Sequence, residues 1–308
     1  MTSLRVGSRG SILALTQTRL VVARLIELNP GLTVQEVIIK TEGDQTTTPL
    51  SEAKNPGVFV SALRDALLAG EVDFVVHSMK DLPAKPYPGI VTAAVPERED
   101  SSDVLISRSG LDLMSLPVGS WVGTSSPRRA ASIRRLRPDL RIDSIRGNID
   151  SRLKKVESGE YDATLLALAG LKRVNRESVV TEHLDSKSFV PAPGQGALSI
   201  ECRDKEPELF GAIAKLDHPI SRLVALAERS VLVGLNASCA TAIGASGELR
   251  GDRLILVAEL SIESTGESIA VSNEVVLGSN KLLDAENLGL LVAEQLLESP
   301  IAAKAALQ

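Results

Sequence analysis

A short apolar run from Leu4 to Gly7 is followed by Ser11 to Leu28, where apolar residues recur at spacings of three and four, and then by a second apolar run from Val34 to Ile39. Strand, helix and strand in that order predict a βαβ unit. Such a unit commits the chain to a parallel α/β sheet, whose ligands collect where strands end and helices begin. Arg9 and Ser11 lie at the first of those junctions. Val58 to Leu68 extends the series as a helix. Val72 to His77 follows as a buried strand, emptying into Ser78, Met79, Lys80, Asp81 and a proline-rich exit. Between the second strand and that helix, the polar segment Thr41 to Gly57 has little apolar periodicity and reads as a lid.

Two breaks divide the chain. The first, PEREDSSD, begins near Pro96 and closes a lobe covering 1–96; the second, FVPAPGQGA, is punctuated by Pro191, Pro193, Gly194 and Gly196 and closes a second lobe covering 102–190. Ala197 to Glu201 reads as a strand that rejoins the first lobe and completes it over about 197–216. A long helix from Pro219 to Leu235, alternating strands at Leu254 to Leu260 and Ala270 to Val276, and a final helix make 219–308 an α+β domain of its own. A length of 308 residues accommodates two or three such domains.

Charge is distributed unevenly over this frame. Between Arg128 and Lys155 there are ten basic residues against three acids, eight of them arginines, in a chain of net charge −5. That concentration points to a polyanionic ligand. Arg128 and Arg129 begin a helical pattern just after GTSSP, where Pro127 suits a first helical turn and Ser126 a cap. Free backbone N–H groups at such a helix start favour an anion, and the guanidinium forks add paired donors. A second junction follows, where strand-like RIDSIR leads through Gly147 and Asn148 into a short helix carrying Arg152. Arg128, Arg129, Arg146 and Arg152, at these turns, read as site residues. Arg134, Arg135 and Arg137 read as a solvated helix face.

Composition excludes several classes. Aromatic residues make up 2% of the chain, too few to supply base-stacking platforms, which argues against nucleic acid despite the basic stretch. No run approaches the ~18 apolar residues of a membrane span, and MTSLRVGSRG lacks the apolar stretch of a signal peptide, so a cytoplasmic protein is expected. Two cysteines, Cys202 and Cys239, and three separated histidines give neither metal-ligand spacing nor a disulfide framework.

Several single residues leave two readings open. Lys80 and Asp81 directly follow a buried strand: a carboxylate there can act as general acid and base or stabilise a cation, or it can simply be a strand end meeting water. His77, inside an apolar run, reads as a hydrogen-bonded structural group. Cys239, in LNASCATAIG, is either a buried small hydrophobe or a thiol exposed on a loop of small residues; Cys202, in SIECR, reads as buried.

Seven segments in order, LRVGSRGSILAL, VHSMKDLP, GTSSPRRA, IRGNIDSRL, AGLKR, PAPGQGALSIECR and the LNASC loop, resemble the porphobilinogen deaminase family over nearly the whole chain. The resemblance implies two doubly wound α/β lobes like those of periplasmic binding proteins, a cleft between them, and a small α+β C-terminal domain carrying the cysteine loop. It implies a transferase that joins four porphobilinogen molecules head to tail into hydroxymethylbilane, releasing ammonia at each step, on a dipyrromethane cofactor held by a thioether to Cys239. Asp81 matches the catalytic aspartate. Lys80, Ser78, Thr124, Ser126, Arg128, Arg129 and Arg146 match cofactor contacts, and Arg9, Ser11, Asn148, Arg152 and Arg173 match contacts to substrate. A monomer is implied, while composition and spacing argue against metal, membrane and nucleic-acid partners.

The chemistry accounts for the arginines. Each pyrrole carries an acetate and a propionate, so the growing chain is a polyanion, and an arginine fork binds a carboxylate through two parallel hydrogen bonds. The sequence departs from the family pattern at Ser61, where many members carry lysine, and at Ala237 and Ser238, where glycines are usual. Two other readings remain. A two-lobed protein that binds a small anion without chemistry would need neither Asp81 nor a modified thiol, whereas a nucleic-acid binder would show strongly salt-dependent affinity for random DNA.

Overall fold

Strands and helices alternate through the first part of the chain in the computed structural model, which describes residues 3–40, 58–237 and 241–305. The order is β1 (Ser3–Ser8), α1 (Ile12–Leu28), β2 (Thr33–Ile38), α2 (Val58–Leu68), β3 (Phe74–Ser78), β4 (Ile90–Ala94), β5 (Asp103–Ser107), β6 (Trp121–Gly123), α3 (Pro127–Leu136), β7 (Arg141–Asp143), α4 (Ile149–Glu157), β8 (Ala163–Ala167), α5 (Leu168–Arg173), β9 (Glu182–His183) and β10 (Leu198–Arg203). After these come α6 (Pro207–Ala214), α7 (Pro219–Gly234), β11 (Ala242–Arg250), β12 (Arg253–Ser261), β13 (Ser268–Val276), α8 (Lys281–Leu297) and α9 (Pro300–Ala305). The segment 41–57, read from sequence as a lid, lies outside the described residues.

The chain divides into two units, Met1–Glu99 with Gly196–Leu223, and Asp100–Gln195 with Val224–Gln308. The first is built on a five-stranded sheet ordered β2-β1-β3-β10-β4. β1 pairs in parallel with β2 and β3, while β10 runs antiparallel to both β3 and β4. Both faces are covered. Phe74 and Val76 of β3 pack with Val21 and Leu25 of α1 and with Leu209 and Ile213 of α6; Val75 points the other way, onto Leu63, Ala66 and Leu67 of α2. This two-sided burial explains why the strand reads as a continuous apolar run, and each such side chain contributes about 1.5–3 kcal/mol.

The second unit repeats the design with the order β7-β6-β8-β5-β9. β6 is parallel to β7 and β8, and β5 is antiparallel to β8 and β9. The parallel pairing read from the first strand–helix–strand alternation is present in β1, β2 and β3, and each sheet also takes in antiparallel strands and is mixed. Parallel neighbours need a crossover helix between them, and β5 and β10 arrive through extended segments instead, which frees them to pair antiparallel.

The same unit holds a three-stranded antiparallel meander, β11-β12-β13, with α8 packed on it through Leu288, Val292 and Leu296. The turn between β12 and β13 abuts α3. Gly266 there has φ +78°, and a Cβ on it would fall 2.7 Å from the Arg135 nitrogen, so only glycine fits both the backbone conformation and the approach.

Candidate functional site

In the first unit, two strand-to-helix junctions gather the sequence-predicted residues. β1 gives way through Arg9 and Gly10 to Ser11, the N-cap of α1, whose hydroxyl accepts from the Ala14 N–H at 3.3 Å. Ser78 closes β3, and its hydroxyl accepts from the Gln17 amide of α1 at 2.9 Å. The chain then makes one 3-10 turn, Met79–Asp81. Met79 is buried and its N–H donates to Ala197 O at 3.0 Å, pinning the turn to the strand that completes the sheet, while Lys80 and Asp81 are exposed. A lysine and a carboxylate thus stand in solvent directly at the end of a buried strand.

Behind them stands His77, whose buried Nε2 lacks the hydrogen bond that its apolar run leads one to expect. It is buried, with Nε2 3.4 Å from Glu201, and Glu201 is gripped by Arg64 through bonds of 2.9 and 2.6 Å. Burial pushes the Glu201 carboxyl up, but the Arg64 and His77 contacts outweigh it and hold the group at about 2.

In the second unit, β6 ends at Gly123 and the buried Thr124 accepts from the Ser126 N–H at 3.2 Å. Ser126 caps α3 with Pro127 in its first turn, accepting from the Arg129 N–H at 3.4 Å. Arg128 and Arg129 are not spread into solvent: each is only 6% exposed. Arg128 donates to Val190 O at 2.8 Å and Arg129 to Leu165 O at 3.0 Å, and both engage Asp103, a wholly buried carboxylate. Burial opposes the charge on Asp103, yet the two guanidinium groups hold its carboxyl well below the usual range. Burial likewise lowers Arg128, offset in part by Asp103.

The second junction also matches its pattern. Asn148 caps α4, its Oδ1 accepting from the Ser151 N–H at 2.9 Å and the Ser151 hydroxyl at 2.6 Å. Gly147 adopts φ +108°, where a Cβ would fall 2.8 Å from Ser151. Arg146 is half-buried, and Arg152 donates from Nε to Gly147 O at 2.9 Å. Arg173 is half-buried in the last turn of α5.

The solvated face expected of Arg134, Arg135 and Arg137 does not exist. Arg137 is buried and donates to the carbonyls of Leu113, Met114 and Leu116 as well as to Asp139. Arg135 contacts Glu259, Ser268 and Ser188 O, and Arg134 donates to Glu263 O at 2.6 Å. These partners are distant in sequence, so the helix pattern alone could not place them. Sequence reasoning also missed Asp103, Arg64 and Glu201. The available signal was a charge inside or at the start of an apolar run, which must find a buried counter-charge.

Cys239 lies outside the described residues. Cys202 is wholly buried in β10, and burial pushes its thiol up to about 11, which leaves it inert as a nucleophile. Among the described residues no cluster of His, Cys, Asp and Glu is able to hold a metal, and no helix is long and apolar enough to cross a membrane. A ligand bearing carboxylates fits the α3 junction. Arg128 and Arg129 leave one positive charge uncompensated by Asp103, and the buried Arg129 Nε has no hydrogen-bond partner.

Residues 4–210 match the family model described as porphobilinogen deaminase, dipyromethane cofactor binding domain, and residues 222–298 match that for the porphobilinogen deaminase C-terminal domain. The porphobilinogen deaminase of Nocardia farcinica is 45% identical over 303 residues, covering 96% of this chain and 86% of the relative. That of Thermobifida fusca is 46% identical over 299 residues, covering 96% and 92%. Among solved structures, an ancestral cationic amino acid solute binding protein aligns with a TM-score of 0.43 at 16% identity, covering 70% of this chain and 88% of that one.

Proposed function

The chain belongs to the porphobilinogen deaminase family, and on that premise we propose that Asp81 is its catalytic carboxylate, Cys239 the thiol that carries its primer, and the junction arginines its carboxylate ligands. Its activity is that of the family: a transferase that joins porphobilinogen units into hydroxymethylbilane with release of ammonia, in tetrapyrrole biosynthesis. The observation that carries the reading is the match of both family domains, in order, across residues 4–210 and 222–298.

The dipyrromethane primer, when bound, supplies the terminal pyrrole carbon to which the first unit is joined. The chain's own residues do the rest. As ammonia leaves the aminomethyl group of porphobilinogen, positive charge develops on the substrate's pyrrole. The Asp81 carboxylate, exposed on its short turn, stabilises that charge and carries a proton between steps. Lys80, Ser78, Thr124, Ser126, Arg128, Arg129 and Arg146 hold the primer's acetates and propionates; Arg9, Ser11, Asn148, Arg152 and Arg173 take those of the incoming unit. Arginine forks suit this task because carboxylates are their planar complement. A cytoplasmic monomer that binds neither membrane nor nucleic acid belongs to the same proposal, and light scattering of the purified protein tests its oligomeric state.

Asp81→Asn tests the catalytic assignment. The variant is expected to fold, to retain primer mass, and to turn over porphobilinogen at least about a hundredfold more slowly. Turnover close to wild type in a folded variant would remove Asp81 from the mechanism.

A further inference from the structure

Asp103 opens β5 with no exposed surface, and three side chains converge on its carboxylate. Arg129 Nη2 donates to Oδ1 at 2.7 Å, Gln195 Nε2 donates to the same oxygen at 2.8 Å, and Arg128 Nη2 lies 2.7 Å from Oδ2. Gln195 is itself buried and held by a second bond, of 2.6 Å, to Ser101 O. Each arginine then places its other terminal nitrogen on a backbone carbonyl, Val190 for one and Leu165 for the other. Two contacts on each guanidinium fix its position and its plane. Asp103 supplies one of the two for both arginines.

Two guanidinium groups this close in a buried site repel each other, and burial raises the cost of that repulsion. A single carboxylate between them removes most of it without neutralising the pair. What remains is one surplus positive charge and the unpartnered Arg129 Nε. We infer that Asp103 is the positioning residue of the carboxylate-binding pair: it touches no ligand itself, and it holds Arg128 and Arg129 in the geometry that receives a primer carboxylate. The inference rests on the assignment of these arginines as primer ligands made above.

The chemistry of the site distinguishes aspartate from its isostere. An asparagine oxygen could still accept from Arg129 and Gln195, but its amide N–H groups would face Arg128 donor to donor, and the cluster would carry two uncompensated charges. The arginines would separate, and ligand carboxylates would meet them out of register.

The test uses full-length protein purified from cells that make no porphobilinogen, then incubated with porphobilinogen while intact mass under denaturing conditions reports covalent primer. Thermal unfolding and near-ultraviolet dichroism establish that each variant is folded. Wild type is expected to gain primer, and Asp103→Asn to gain it about tenfold more slowly. Arg129→Lys is expected to slow loading strongly in the wild-type background and little further beside Asp103→Asn, a non-additivity that a purely structural role would not produce. Should Asp103→Asn fail to fold, Gln195→Met, which removes the neutral donor to Oδ1 together with the bond to Ser101 O and leaves both charges of the arginine pair and Asp103 in place, is expected to slow loading roughly threefold. Loading at the wild-type rate in a folded Asp103→Asn, additive effects in the double variant, or an unaffected Gln195→Met where that variant carries the test would overturn the inference. If wild type itself gained no mass, the primer assignment would fail, and this inference with it.

Discussion

Arg64 on α2 and Glu201 on β10 meet through two parallel hydrogen bonds of 2.9 and 2.6 Å, with both side chains almost wholly buried. The pair joins a helix on one face of the first sheet to the strand that completes it. Removing one partner strands the other's charge, so Glu201→Gln is expected to cost about 3–5 kcal/mol in urea unfolding.

The same pair predicts acid sensitivity. Glu201 falls from 4.5 to about 2 on folding, so its folded pKa lies below the unfolded one. The stabilisation, on the order of 3 kcal/mol, is fully present above about pH 5 and is lost as pH falls through 4 towards 2. Stability measured against pH should decline over that window in wild type and decline less in Glu201→Gln.

Arg137 gives a contrasting case among the arginines of the basic stretch. Its guanidinium is committed to three carbonyls and Asp139, none of them a ligand. Arg137→Ala is expected to cost about 2–4 kcal/mol of stability. The primer content of whatever protein remains folded should be unchanged; a folded variant that lacked primer would show that Arg137 also serves the ligand.

The difference between Arg137 and Arg128 shows what the sequence could and could not reveal. Local signals were legible: GTSSP forecast the Ser126 cap and Pro127 in the first turn, and the VHS run forecast a buried strand ending at exposed Lys80 and Asp81. Such features depend on neighbours a few residues away. Arg137, Arg135 and Arg128 instead find partners 24 to 124 positions distant, at Leu113, Glu259 and Val190, and no helical period encodes those. β4 was missed for a related reason. Its sequence IVTAA is short and follows prolines, and it becomes a strand only because β10, from far along the chain, pairs with it.

Gly266 tests the seat of the C-terminal meander on α3. Both its φ of +78° and its approach to the Arg135 nitrogen exclude a side chain, so Gly266→Ala is expected to cost about 2–3 kcal/mol. Gly251 also has positive φ, +63°, but meets nothing within 4 Å, and Gly251→Ala should cost only about 1 kcal/mol. Equal melting temperatures for the two variants would mean that the close approach at Gly266 contributes nothing.

The proposed catalysis depends on a primer tethered through sulfur at Cys239, with Cys202 shut inside β10. Intact mass under denaturing conditions, taken on native-purified wild type, Cys239→Ser and Cys202→Ala, tests it most directly. Wild type and Cys202→Ala should both exceed their polypeptide mass by a pair of pyrrole units, and Cys239→Ser should weigh only its polypeptide. A wild type at bare polypeptide mass that stays there after incubation with porphobilinogen, or an adduct that follows Cys202, would contradict the account.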